Sequence, residues 1–278
     1  MAGWGENLWG SSPWGDGENW DGYSNSPRYP LILSENLFSL SPIEVTDTAT
    51  EYNIQNITDL RPYTFHQFAS AGTKYFTIDC VSPRAANGIA FLGHNFFTAT
   101  ATISVWSSQD GINWTERVAG FTVTTDLAFL KSFPPGVARY WRVKIVTASV
   151  AARLAVCVLG VRLEFPRYLT GNFDPFPEKI NAVSGRSKAG YLVGITRKNI
   201  SVEIDAAWKG LTTTWIENYF RPVWDDHLSL CLPCFWSWDP ASHPTEIYFV
   251  GTPPDFQLSM PFDPFRRSLK LIFQGIKE

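Results

Sequence analysis

The chain has 278 residues, with 23 Lys plus Arg against 26 Asp plus Glu and a formal net charge of −3. Without a basic excess to neutralise a phosphate backbone or an anionic surface, neither nucleic acid nor membrane insertion is expected. Twelve Trp, 19 Pro and 20 Gly, with no long Ala/Glu/Lys/Leu stretches, favour a mainly β protein rich in turns, and the length suggests about two domains.

Residues 1–27 form a Trp/Gly-rich N-terminal arm in which Trp4, Trp9, Trp14 and Trp20 recur every five or six residues among glycines, without Lys or Arg. A secretory signal needs a basic start and about 7 to 15 apolar residues, so no signal peptide is expected and synthesis in the cytoplasm with reduced thiols follows. Such a segment cannot bury four indoles by itself. Three readings stay open: a strip along its own domain, an assembly arm docked on a neighbouring subunit, and a sugar-stacking strip.

Residues 28–167 alternate with period two and are punctuated by turns, the pattern of half-buried strands. Strands are predicted at Tyr75–Asp79, Gly88–Gly93, Ala101–Trp106 and Arg139–Val146, with a last one over Leu154–Glu164. In Ser108-Gln109-Asp110-Gly111-Ile112-Asn113-Trp114, Asp-Gly supplies a tight turn and Trp114 is expected to return to the core beside Trp106 and Trp141. The stretch Ile145–Val161 is broken by Arg153 and falls short of the roughly 20 residues that span a bilayer, so it reads as buried strands. A β-sandwich follows from this spacing.

The Ser-x-Asp-Gly-x-x-Trp turn, with Leu92-Gly93-His94-Asn95 before it and Ala138-Arg139-Tyr140-Trp141-Arg142-Val143 after it, resembles the galactose-binding-like (discoidin-type) jelly roll. Similar domains, and N-termini written in Trp and Gly, occur in bacteriophage tail proteins. The resemblance implies sugar binding in loops at one end of the jelly roll, with Arg84, Asn87, His94 and Asn95 as the loop residues to test. Equally, His94 and Asn95 could simply hydrogen-bond the turn. Some relatives carry a structural calcium; Glu44, Asp47 and Asp59 supply oxygens here, but without the spacing of a calcium loop.

Residues 168–278 open with a Pro-rich linker, 173–177, followed by a basic stretch and a strand at Ile200–Asp205. Leu211, Trp215, Ile216, Tyr219, Phe220 and Val223 lie near helical spacing over 211–228, although Pro222 is expected to end or kink that helix. Strands at Leu230–Trp238, Glu246–Val250 and Ser268–Phe273, with turns at Asp239-Pro240, Thr252-Pro253-Pro254 and Asp263-Pro264, complete a small β-barrel or sandwich with one helix. Its order of elements resembles the ring-forming domain of phage distal tail and tail-tube-like proteins.

Cys231 and Cys234 have zinc-knuckle spacing, with His227 and His243 outside them, but no second Cys pair exists and the flanking Leu228, Leu230, Leu232, Phe235 and Trp236 read as a buried strand. Cys80 and Cys157 lie in apolar runs and also read as packed thiols. Asp225-Asp226-His227 are consecutive and so do not converge on one substrate atom. No nucleophile elbow, phosphate-binding loop or His-Glu-x-x-His helix occurs. The expected protein is therefore a non-enzyme with no cofactor and no metal. The resemblance implies a structural component of a phage tail, at the baseplate or distal end of the virion. Its implied partners are copies of itself in a hexameric ring, other tail proteins and host surface glycans. The alternative is a carbohydrate-binding module.

Overall fold

A computed structural model describes residues 27–171, 173–175, 178–260 and 266–276. Trp4, Trp9, Trp14, Trp20 and the turn at Asp263-Pro264 lie outside the described residues.

The protein is mainly β, with antiparallel sheets, and among the described residues one α-helical segment joins a few short 3₁₀ turns. The first ten strands are β1 (Leu31–Leu33), β2 (Glu44–Val45), β3 (His66–Gln67), β4 (Gly72–Leu92), β5 (Thr102–Ser108), β6 (Thr115–Phe121), β7 (Phe129–Thr147), β8 (Arg153–Leu154), β9 (Val156–Gly160) and β10 (Leu163–Glu164). Five follow: β11 (Glu178–Arg186), β12 (Leu192–Thr212), β13 (Cys234–Ser237), β14 (Ile247–Gly251) and β15 (Arg266–Ile276). One sheet runs β2-β4-β7-β5-β6, with β9 also pairing β4; a second runs β10-β1-β13-β14-β15-β12-β11.

Two segments that read as separate strands, at Tyr75 and at Gly88, are halves of the single strand β4. Between them the register against β7 slips from Asp79 opposite Tyr140 to Arg84 opposite Ala138, and Val81 takes φ 65°. A bulge of this kind bends its strand, so residues from both halves can face one core. Phe76 and Ile78 from the first half and Ile89 and Phe91 from the second meet Trp141, Val143 and Leu159 there.

The second half of β4 departs from the half-buried pattern. Ala86–Leu92 and all of β9 are buried at every position. Alternate residues face opposite sides of a strand, and here both sides are covered. Ile89, Phe91, Cys157 and Leu159 face the sandwich core, whereas Ala90, Leu92, Val156 and Val158 pack against Leu33 and Phe235 of the second sheet. Strands β1 and β13 divide their residues in the same way. Leu33 and Phe235 face the sandwich, while Ile32 and Trp236 face a third core with Trp208, Trp215 and Phe220.

The helical segment belongs to that third core and begins where Thr212 Oγ1 accepts from Trp215 N at 3.3 Å. Pro222 does not end it. A π-helical turn, Ile216–Phe220, precedes the last α-helical piece, Arg221–Asp226, and Arg221 N donates to Ile216 O. Widening the helix just before proline accommodates a residue that has no N–H to donate to the carbonyl four positions back. In the third core Trp208 stacks on Phe165, with ring centroids 3.9 Å apart.

Only one of the three tryptophans expected in the sandwich core is there. Trp141 is fully buried, but Trp106 and Trp114 are half-buried. The reason is sheet parity: Ile103 and Val105 fill the core from β5, which turns Trp106 to the other face, and Trp114 lies under the Arg142 guanidinium at 3.8 Å. Trp141→Ala is therefore expected to cost about 3 to 5 kcal/mol, and Trp114→Ala only about 1 kcal/mol, the scale of a surface cation–π contact. Equal losses in thermal denaturation would contradict this assignment.

A second prediction concerns the covered strand pair. A Cβ on Gly160 would come 2.3 Å from the carbonyl oxygen of Glu35, in the chain that leaves β1. Backbone cannot yield as a flexible side chain would, so Gly160→Ala should cost about 2 kcal/mol and lower Tm by about 4 to 8 °C. An unchanged Tm would show that the Glu35 segment is free to move aside.

Candidate functional site

The Asp-Gly turn is built around one carboxylate. Asp110 Oδ1 accepts from Asn113 N at 2.8 Å and from Ile112 N and Ser108 Oγ at 2.9 Å, and Oδ2 accepts from Asn113 Nδ2 at 2.7 Å. These bonds, those from the Asn113 and Ile112 amides first, hold the carboxyl well below the usual carboxylate range. Gly111 takes φ 74°, and its Cα faces the Tyr140 ring. The turn is thus fixed by its own side chains.

Beside it lies an open cleft of about 240 Å³ lined by Ser107, Ser108, Gln109, Asp110, Asn113, Thr115, Arg117 and Ala138. Arg117 Nε donates to Ser107 Oγ at 2.7 Å, and its guanidinium lies so close over Gly136 that a Cβ there would sit 3.0 Å from Arg117 Cζ. Gln109 Nε2 donates to Val137 O at 2.8 Å. The wall therefore offers hydroxyls, carboxamides, one carboxylate and one guanidinium on a rigid frame. Such a set can hydrogen-bond a polyhydroxylated ligand. Its hydroxyl–carboxylate pair, Ser108 with Asp110, has a carboxyl held too far below the usual range to serve as a base.

The adjoining bulge is locked by charge. Arg139 holds Asp79 through two bonds, Nε to Oδ1 at 2.8 Å and Nη2 to Oδ2 at 2.7 Å, which draw the Asp79 carboxyl down to about 2. Asp79 Oδ1 also accepts from Val81 N at 2.8 Å and so supports the residue at positive φ.

The four glycan-site residues expected from sequence do not converge. Arg84 is exposed on β4, and eight strand residues, roughly 25 Å, separate it from Leu92, after which His94 and Asn95 follow. Asn87 is buried: its Oδ1 accepts from Arg162 N and its carbonyl from Arg162 Nη1, both at 2.8 Å. Arg162 is itself fully buried, 3.8 Å from Glu164, whose Oε1 accepts from Arg28 N at 3.0 Å. Asn95 ties two loops together, donating to Ala151 O at 3.0 Å and accepting from Arg153 N at 2.9 Å. His94 is buried, stacked on Phe96, with Nδ1 accepting from Phe96 N at 3.3 Å. Three of the four thus bond the protein's own backbone with at least one side-chain polar atom.

Sequence reasoning missed Gln109, Thr115 and Arg117 as a wall. The turn motif that frames them is legible in the sequence, but its spacing points to a core tryptophan and not to a cleft.

The other residues weighed for chemistry are dispersed. His227 Nε2 faces Pro233 O at 2.9 Å, and His243 Nδ1 faces Glu246 Oε1 at 3.1 Å. Cys234 is buried in β13, and Cys231 is exposed at φ 56° after a 3₁₀ turn; all four cysteines are free thiols. Asp47 pairs with Lys74, and Asp59 caps Arg61 N and Thr64 Oγ1. Among the described residues no group of three His, Cys, Asp or Glu side chains is placed to hold a metal ion.

No protein-family model matches the chain, and no curated protein matches its sequence. Solved structures similar to parts of it include a pectin-binding carbohydrate-binding module, at 16% identity and a TM-score of 0.38, covering 43% of this chain and 89% of the module. Another is the module CBM32-3 from a family 31 glycoside hydrolase of Clostridium perfringens, at 21% identity and a TM-score of 0.39, covering 46% of this chain and 94% of that one. A third is chitosan-binding module 1 of a Paenibacillus chitosanase/glucanase, at 18% identity and a TM-score of 0.38, covering 45% and 98%.

The His94 environment makes a pH prediction. Burial, opposed by the nearby Asp126 carboxylate, pushes its imidazole down to about 4, so the folded ring stays neutral where the unfolded one, near 6.5, takes up a proton. A lowered histidine pKa contributes stability that is full above about 6.5 and is lost as pH falls towards 4. The loss from this group is about 3 kcal/mol. Urea denaturation between pH 7 and 4 should show His94→Gln with a shallower decline than the parent; parallel curves would contradict the assignment.

Proposed function

We propose that the protein is a non-enzymatic binding component that recognises carbohydrate in the cleft beside the Asp110 turn. The observation that carries this reading is the cleft wall: Gln109, Thr115 and Arg117 stand on a frame fixed by Asp110 and Ser107. A preorganised polar wall limits the entropy lost when hydroxyl groups are bound. The resemblance of the Asp-Gly-x-x-Trp turn and the Trp/Gly N-terminus to phage tail proteins supports a place in a tail, with host-surface glycan as the ligand and with further copies or other tail proteins as partners.

The test is a glycan array with the full-length chain, followed by calorimetry on any hit. Arg117→Ala and Gln109→Ala should each weaken binding about tenfold, which corresponds to about 1.4 kcal/mol. His94→Gln, far from the cleft, should leave affinity unchanged. An array without hits, or binding insensitive to Arg117 and Gln109, would refute this placement.

A further inference from the structure

Strands β11 and β12 form a hairpin at the edge of the second sheet, and no layer of the described residues covers its outer two-thirds. Residues 182–186 and 188–199 are all exposed, the large apolar Val183, Tyr191, Leu192, Val193 and Ile195 among them, and Ile180 is exposed as well. Adjacent residues of a strand point to opposite faces, so exposed Leu192 and Val193 make both faces apolar. A patch of this kind marks an interaction surface. The hairpin is also basic: residues 178–200 carry Lys179, Arg186, Lys188, Arg197 and Lys198 against Glu178 alone, a net charge of +4. Among the described residues β11 is the last strand of its sheet and leaves one edge open to a further strand.

Residues 1–26 have the complementary composition. They carry Glu6, Asp16, Glu18 and Asp21 with no Lys or Arg, a side-chain charge of −4, together with the four tryptophans. We infer that the N-terminal arm docks on the β11–β12 hairpin of its own chain, with its acidic residues meeting the basic ones and its indoles covering the exposed apolar side chains.

Reach favours the same chain over a second copy. Five strand spacings separate β1 from β11, about 24 Å, and the hairpin projects by about 30 Å along β11. A glycine-rich segment of 26 residues has an end-to-end distance of about 28 Å and can extend to more than 80 Å. A tethered partner within such reach acts at roughly millimolar effective concentration, well above that of a second copy in dilute solution. This inference does not rest on the glycan reading.

The test is carbodiimide cross-linking of the full chain, which joins a carboxylate and a lysine Nζ in contact as an amide with loss of water. An equimolar mixture of unlabelled and ¹⁵N-labelled protein shows which chains are joined. Links from Glu6, Asp16, Glu18 or Asp21 to Lys179, Lys188 or Lys198, within chains of one label, are expected. Mixed-label links would overturn the assignment in favour of a second copy, and links elsewhere in the protein with none from arm to hairpin would overturn docking itself. In a Glu6→Gln/Asp16→Asn/Glu18→Gln/Asp21→Asn variant, tryptic cleavage after Arg186 and Lys188 should speed up roughly tenfold. An unchanged rate would count against the charge complementarity.

Discussion

The covering of the β4–β9 strand pair on both faces is the constraint on which the rest of the structure depends. Ile89 and Phe91 fill the sandwich, and Ala90 and Leu92 fill the layer beneath it, so these few residues hold two cores in register. A shift of one residue in β4 would exchange the two sets, a change that small alanines and large phenylalanines do not permit. Gly160 is where the chain leaving β1 comes closest, and at the same junction the buried Arg162, Asn87 and Glu164 tie β4, β10 and the start of the described chain together. A buried ion pair adds little net stability, but removing one partner strands the other, so this cluster specifies one arrangement of the layers.

The outer face of the first sheet is organised differently. Arg142 bonds Thr77 Oγ1 at 2.9 Å and lies over the Tyr75 and Trp114 rings, so aromatic and cationic groups cover each other at the surface. The Asp110 turn beside them is held by hydrogen bonds to one carboxylate and depends on no layer above it. This leaves the turn end of the sandwich open, and the polar cleft lies there. The opposite end is closed by the His94–Phe96 stack and by Asn95, which bridges Ala151 and Arg153.

Several features were legible in the sequence for direct physical reasons. The Asp-Gly turn needs positive φ, and Gly111 has it; Trp141, between Tyr140 and Arg142 in an alternating strand, has the parity of a core residue. Helical spacing over 211–228 found the helix, although composition alone could not show that a π turn would accommodate Pro222. The basic stretch before Ile200 gave no sign of the hairpin, because apolar residues on both of its faces, such as Leu192 and Val193, remove the alternation by which a strand is recognised.

What the sequence by itself determined is local: mainly β structure, the turn at Asp110, the core role of Trp141 and the charge contrast between the Trp-rich arm and the basic stretch. Each depends on backbone conformation, side-chain period or composition within a short segment. Tertiary structure alone decided which face of each strand is covered and by what. Trp106 and Trp114 lost their expected core places to parity and to Arg142, and Asn87, His94 and Asn95 hydrogen-bond backbone groups of the protein itself. Those outcomes depend on contacts between residues far apart in the chain, such as Asn87 with Arg162 and Gly160 with Glu35, which no local pattern encodes.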